Sequence, residues 1–542
     1  MDEKNIAYEV VDGEAVPVSE TNPKRFDING KDNAFKIIIA VCSALLAVFG
    51  IFDGFRMGFT ITSITLFTAL TVYLAGAKTR FSFFGVICGL INLITATSFT
   101  ITSNGGIRFL TVLSMVILSA IWFVSLSANI NKKSDFALLS YIFVPFAQSF
   151  TVNLPKSLKA VFSSRPKKRW AFGKALLGFI LAVPVLMIVL PLLILSDEAF
   201  SGLVTNLLKS NIFTVFEVLV GLIIGFFIFS YCLTLKKREV YEGKSIEMGA
   251  IDSTILVSFL SVISVCYFAY LFSQLAYFFD AFKGILPKDY SFTFAEYARR
   301  GFFEMCIIAV INFVIISLVI LFARKKDGKL SAGLKTLCSF VGFFTLVIIN
   351  TALSKMFLYI KSYGMTELRI TTSAFMVFLE IVFLSLLLKL FFKRVRVLRA
   401  AIVTAACVLT VLGTVNMNFV IANYNYNAYK SGALKEMDVN TIYKMGDEGV
   451  PYLVKLTKDE NAEVSSAAES KLQKIIDSDK YYKTKVKEEI DIEGFKTLRV
   501  YEIEEKKYDG VGKYSISRDK VYEALDKYIE ENGDALVREE YF

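Results

Sequence analysis

Long apolar runs separated by short polar gaps repeat along the chain from Ala34 to Ile421, and Lys and Arg crowd every second gap. A run of 18 or more apolar residues with almost no charge outlasts an ordinary soluble helix and matches the thickness of a bilayer, so each run predicts a membrane-spanning helix. About eleven transmembrane helices are predicted, near 34–52, 59–77, 81–98, 107–127, 174–195, 211–235, 251–278, 302–323, 336–360, 372–392 and 400–421. The gaps assigned to the inner side hold Lys78 and Arg80, Lys132 and Lys133, a basic loop from Lys156 to Lys174, Lys236–Arg238 with Lys244, Arg324–Lys326, and Lys393 to Arg399. Roughly 24 basic residues fall in these gaps against roughly nine in the outer ones, the asymmetry that the positive-inside rule demands.

The same charges orient the ends. Residues 1–33 carry four basic and eight acidic residues and no leading hydrophobic core, which predicts a polar cytoplasmic tail and not a cleaved signal peptide. Lys24, Arg25, Lys31 and Lys36 flank the first crossing on that side, and an odd number of crossings leaves the C-terminus outside. One stretch resists the scheme. Residues 136–152 are apolar but short, contain Pro145 and lie between two basic segments that both belong inside, so they read as a re-entrant or interfacial segment. The acid-free basic loop that follows reads as a topology determinant on anionic headgroups, with docking of an anionic partner as the sharper alternative.

From Asn423 to Phe542 the chain turns polar, with 20 basic and 26 acidic residues. Residues 434–476 predict two or three short amphipathic helices with a turn at Gly446–Pro451, residues 495–504 alternate like a strand, and 519–532 return to helix. The fold class expected is an all-α polytopic membrane helix bundle over 34–422, followed by a small α+β extracytoplasmic module over 423–542. Two GxxxG pairs, Gly85–Gly89 and Gly221–Gly225, predict close helix approach, and Pro184 with Pro191 predicts a kink in the fifth crossing.

Composition narrows the chemistry. At 55% hydrophobic residues and a mean hydropathy of +0.54, the chain is too apolar for a soluble domain. There is no His, which excludes Ser-His-Asp and Cys-His nucleophile systems and His-ligated zinc or haem. All seven Cys lie inside apolar segments with no CxxC motif, so they read as small core residues. No catalytic group, metal or other cofactor is expected, and no nucleic-acid partner.

Candidate binding residues are then the charges inside or beside the crossings. Glu217, Glu304, Lys355 and Glu380 are all placed within about 12 Å of the outer surface, with Gln274 and Asp280 in the same layer. Charge in lipid is expensive, so these side chains are expected to face one another or a hydrated cavity, with Lys355 pairing Glu304 or Glu380. Asn312 and Asn350 fall midway through the membrane and are suited to bonds between helices. In the gap before the eighth crossing, Thr293 and Glu296 have capping-box spacing, which puts Glu296, Arg300 and Glu304 on one helical face and leaves Arg299 free for a partner. The gap before the tenth crossing holds Glu367 and Arg369. Arg forks recognise phosphate or carboxylate, so these outer arginines suit a lipid headgroup or lipid-linked phosphate; the alternative is internal salt bridges to Glu296, Glu304 and Glu367. At the end of the last crossing Asn416, Asn418, Asn423, Asn425 and Asn427 alternate with Tyr424, Tyr426 and Tyr429, either lining the same mouth or marking an aromatic-belt exit with a helix stop.

The strings YSFTFAEYARRGFFE, YGMTELRI, NYNYNAY and SISRDKVYEAL resemble the motifs of a bacterial multi-pass membrane family known as a domain of unknown function, the 4153/4173 group. The resemblance spans the chain from about the first crossing to near the C-terminus, and it implies an integral protein of a bacterial cell envelope with no activity or catalytic residue to carry over. Membrane lipids are the expected partners, with a lipid-linked phosphate or an envelope protein met through the C-terminal module. Three functions compete: a non-catalytic binding, sensing or scaffold protein, which is preferred; a transporter or flippase for an anionic or amphipathic solute; and, third, a membrane-embedded transferase using a carboxylate base such as Glu296 or Glu304. No clear internal repeat with paired broken helices is visible, which counts against transport.

Overall fold

The computed structural model describes residues 8–11, 14–17, 30–75, 82–101, 105–127, 130, 135–151, 153–154, single positions between 178 and 193, 195–208, 211–236, 251–278, 302–325, 330–392, 394–477, 482–492, 496–505, 516–532 and 538–540. The helices are α1 (Gly30–Leu46), α2 (Met57–Leu74), α3 (Phe83–Ile101), α4 (Gly105–Ser127), α5 (Asp135–Thr151), α6 (Glu198–Leu208) and α7 (Asn211–Lys236). They continue with α8 (Ser253–Phe278), α9 (Phe302–Phe322), α10 (Ala332–Tyr363), α11 (Glu367–Phe391), α12 (Val397–Thr414) and α13 (Met417–Lys430). Beyond the bundle come α14 (Val439–Lys444), α15 (Val450–Leu456), α16 (Ala462–Asp477) and α17 (Ile516–Asn532).

Ten helices among the described residues are long and apolar enough to cross a membrane: α1 to α4 and α7 to α12. The chain is therefore a multi-pass membrane protein built as a helix bundle. These ten coincide with ten of the predicted crossings; the other, 174–195, lies outside the described residues apart from single positions, and so do Pro184 and Pro191. Segment 136–152 falls on helix α5, which has Pro145 inside it and an apolar stretch, Ala137–Ser149, shorter than any of the ten apolar spans.

The chain divides into two compact units, Met1–Ala47 with Val144–Glu239, and Val48–Phe143 with Val240–Phe542. In the first, α1 packs on α7 because both surfaces are stripped to small residues. A Cβ on Gly221 would stand 2.6 Å from the Cα of Ala44 and from the carbonyl of Ser43, and one on Gly225 would collide with the Ser43 hydroxyl. The predicted GxxxG contact is thus real, and it brings the backbones together. Ser43 turns its hydroxyl back to the Ile39 carbonyl at 2.7 Å, which satisfies it within its own helix. Lys236 in the last turn of α7 meets Asp32 in the first turn of α1 at 2.5 Å, with the Asp32 side chain only 5% exposed. Each charge also sits at the helix end whose dipole it complements. The later part of α5 joins this unit through Ser230 Oγ donating to the Ser149 carbonyl at 3.0 Å. Just beyond its end, Asn153 Nδ2 donates to Thr234 Oγ1 at 2.9 Å.

In the second unit α3 packs on α4 through the other glycine pair, Gly85 against Ser125 and Gly89 against the Trp122 ring. Trp122 Nε1 donates to Thr71 Oγ1 at 2.9 Å, tying α4 to α2, and the Thr95 and Thr410 hydroxyls meet at 2.6 Å, tying α3 to α12. Helices α8 to α11 close around a core of Leu260, Phe344, Phe383 and their neighbours. Deep inside it Asn312, fully buried, accepts from Tyr267 Oη at 2.6 Å and donates to Thr345 Oγ1 at 2.9 Å. This polar chain links α8, α9 and α10, as expected for Asn312.

The last crossing is shorter than the sequence suggests. It ends at Thr414 and not near 421, because Val415 turns extended and Asn416 caps a new helix, accepting from the Phe419 N–H at 3.1 Å. The apolar run Phe419–Ala422 is amphipathic core of α13 and not membrane span. It packs with α14, α15, α16 and α17 around Ile421, Ile442, Leu453, Leu472 and Leu525. Beyond α16 the backbone pairs Tyr482–Ile492 (β1) antiparallel with Lys496–Glu505 (β2), and β2 with Arg538–Glu540 (β3).

Candidate functional site

The turn between α10 and α11, Tyr363-Gly-Met-Thr-Glu-Leu-Arg369, is where bundle and C-terminal helices meet. Gly364 sits at φ +78°, ψ 176°, a conformation reserved for glycine, and terminates α10. Thr366 then caps α11 by accepting from the Arg369 N–H, and Glu367 occupies the first turn, where the helix dipole favours a carboxylate. Into this turn reaches Asn425 of α13, 6% exposed. Its Oδ1 accepts from the Met365 N–H at 2.6 Å and its Nδ2 donates to the Met365 carbonyl at 2.9 Å, the way a neighbouring strand would pair. A Cβ on Gly364 would stand 2.6 Å from that Oδ1, so the glycine is required twice over. Met365 and Ile370 pack against the core of α13 to α17, fixing those helices to this end of the bundle.

Arg369 is spent on the same turn. Its Nη1 donates to the Tyr363 carbonyl at 2.9 Å and to the Gly364 carbonyl, and its guanidinium lies 4.1 Å from the centre of the Tyr359 ring. It forms no salt bridge to Glu367, and through Nη1 it braces the turn. The asparagines that follow the last crossing are likewise committed. Asn416 Nδ2 donates to Glu448, and Asn423 Oδ1 accepts from Tyr452 Oη at 3.1 Å and from Asn427 at 3.0 Å. The Asn/Tyr run is a docking surface for the helices that follow, with a helix stop at its head.

At the outer edge of the docked helices Lys430 meets Asp459 at 2.7 Å, and Tyr429 Oη donates to the same carboxylate at 3.1 Å. Burial alone would raise the Asp459 carboxyl, but hydrogen bonds from Lys430, the Asn461 N–H and Tyr429 outweigh it and hold it below the ordinary value. The hydrogen bond to Asp459 in turn pushes the Lys430 ammonium up. Lys455 lies between the Tyr426 and Tyr452 rings, 5.6 Å and 5.2 Å from their centres.

The remaining predicted residues scatter. Glu296, Arg299 and Arg300 lie outside the described residues, with the capping box at Thr293. Glu304 is exposed in the first turn of α9, and Glu217 is half-buried less than two turns into α7 in the first unit. Lys355 is half-buried on α10, but neither Glu304 nor Glu380 forms an ion pair with it or with any other described cation. α11 begins at Glu367, so thirteen residues precede Glu380, which sets it about 20 Å along the axis from the start of the helix. Asn350, thirteen residues before the end of α10, lies at the same depth and donates to Glu380 Oε1 at 2.9 Å.

Sequence reasoning missed the opposite end of the bundle. Arg399, read as a topology charge, is only 9% exposed; its Nη2 donates to the Ile130 carbonyl at 2.6 Å, and it lies over the Phe84 ring. Asp135 Oδ1 stands 3.9 Å from its Nε. The signal available was a solitary acid opening α5 beside an otherwise basic face. Among the described residues no group of three or more acidic or Cys side chains is placed to hold a metal ion.

With this geometry in view, the comparison with known families is informative. Residues 88–456 match the family described as Domain of unknown function (DUF4153), and the chain belongs to that family. The match runs from α3 to the last residue of α15, so the Asn/Tyr docking surface falls inside it while SISRDKVYEAL falls beyond it. No curated protein and no solved structure matches the chain.

Proposed function

We propose that the protein is a non-catalytic binding or scaffold protein of a bacterial cell envelope, whose membrane bundle presents a C-terminal α+β module on the extracytoplasmic side. The N-terminus is then cytoplasmic, residues 174–195 supply an eleventh span in the plasma membrane, and α5 is re-entrant. The observation that carries this reading is the docking of α13 to α17 on the α10–α11 turn through Asn425, with Met365 and Ile370 packed against their core. A module held this firmly to a membrane rim suits the display of a binding surface better than a catalytic cycle. Lipid-linked phosphate is the ligand proposed for Arg299 and Arg300.

Two measurements test it together. A cysteine placed at Ser431 should react with a membrane-impermeant maleimide in intact cells, and protection there would overturn the sidedness. A photo-crosslinker at Lys444 on the module should trap a discrete envelope component in wild type and lose it in Asn425→Ala. Crosslinking unchanged by that substitution would overturn the display role. The transporter reading is favoured by one observation, the Asn350–Glu380 pair at mid-depth, and requires solute flux in liposomes that Glu380→Gln abolishes.

A further inference from the structure

The Asn350–Glu380 bond does more than join two helices. Asn350 uses both its N–H groups, donating to the Leu346 carbonyl at 3.0 Å and to Glu380 Oε1 at 2.9 Å. Asn350 Oδ1 and the second Glu380 oxygen remain, and among the described residues no donor meets either of them. The pair therefore presents acceptors only, and it presents them outward: Asn350 is exposed and Glu380 half-exposed. Around it the outward side chains are apolar. Phe343 and Phe357 lie seven residues to either side of Asn350 on one face of α10, while Val377, Ile381 and Leu384 share the matching face of α11. Lys355 is five residues from Asn350 and so off that face.

We propose that Asn350 and Glu380 form a binding site, within the bilayer, for the ammonium head of an amphipathic cation whose hydrocarbon lies along these apolar flanks. The chemistry selects this occupant. A carboxylate oxygen in hydrocarbon demands a partner that carries positive charge and hydrogen-bond donors, since isolated charge there is costly. An anion meets only acceptors, and a second copy of the same pair brings acceptors to acceptors. An alkylammonium satisfies both free oxygens through its N–H groups and covers Phe343, Phe357 and Ile381 with its chain. The inference is independent of the docked module and of the display role.

Binding of radiolabelled dodecylamine to the full chain in nanodiscs, read by scintillation proximity, tests the site. Wild type should bind it saturably, and Glu380→Gln, which keeps the acceptor for Asn350, should weaken it by about tenfold or more. Glu198→Gln, in the first turn of α6, should leave it unchanged. Dodecanol, of the same length but neutral, should show no dependence on Glu380. Equal affinity of wild type and Glu380→Gln, or equal losses in both Gln variants, would overturn the proposal. So would recovery of wild type only with a second polypeptide that Glu380→Gln releases, for then the donor comes from a partner helix.

Discussion

Asn425 and Asn350 are the same side chain put to opposite ends. Asn425 is buried at the rim, with its oxygen and nitrogen both bonded to one backbone residue, Met365. Asn350 sits at mid-depth on an outward face, its donors used and its oxygen open. Asn312 belongs with the first kind, closed between Tyr267 and Thr345. The difference teaches that a polar residue near or within a membrane is read by its unfilled valences. A completed set marks architecture, and an incomplete set turned outward marks a place for something else.

That contrast can be broken by measurement. Asn425→Ala should cost about 3 kcal/mol, since it orphans a buried N–H and a buried carbonyl of Met365 together. Limited proteolysis should then cut between α13 and α16 while the spans stay intact, and unchanged protection would remove Asn425 from the architectural class. Gly364→Ala should cost about 2 kcal/mol through its positive φ and the contact with Asn425 Oδ1, seen as a lower melting temperature in detergent. Asn312→Leu should cost only about 1 kcal/mol, because bonds between membrane helices are worth less than their burial suggests. Smaller still is the Lys430–Asp459 pair. Asp459 is held below its unfolded value, so its contribution is complete above that value and fades as pH falls through the native one. The melting temperatures of wild type and Asp459→Asn should therefore converge in acid and differ slightly at neutral pH. Asn350→Leu should leave the melting temperature almost unmoved, and a loss as large as that of Asn425→Ala would erase the distinction between the two.

Much of this was legible beforehand, and the reasons differ by element. Span positions follow from apolar length, which packing cannot override in lipid, so ten crossings stand where hydropathy places them. Both GxxxG pairs were legible because a missing Cβ acts through distance alone. The end of the last span was not, since Phe419–Ala422 is apolar for a different neighbour; Asn416 as a cap was the clue to a new helix. Arg369 has the type that fits an anion fork, but the placing of its Nη1 depends on which carbonyls the turn before it exposes, Tyr363 and Gly364. The helix that carries Glu380 starts five residues before the predicted crossing because Thr366 caps it. Burial of Arg399 depends on Ile130 and Asp135, more than 260 positions away, so the pattern around Arg399 itself does not show it.

The bond between Asp32 and Lys236 sets a timetable for biogenesis. Its partners are 204 positions apart, and at 5–20 residues per second the ribosome needs roughly 10–40 s to make the second after the first. For that interval α1 is in the bilayer with its glycine-facing seam, Ser43 and Ala44, open to whatever helix passes. A nascent chain stalled before Gly221 should expose that seam to an insertase or membrane chaperone, and release on completion of α7 would make the closing of this one ion pair the last act of assembling the unit.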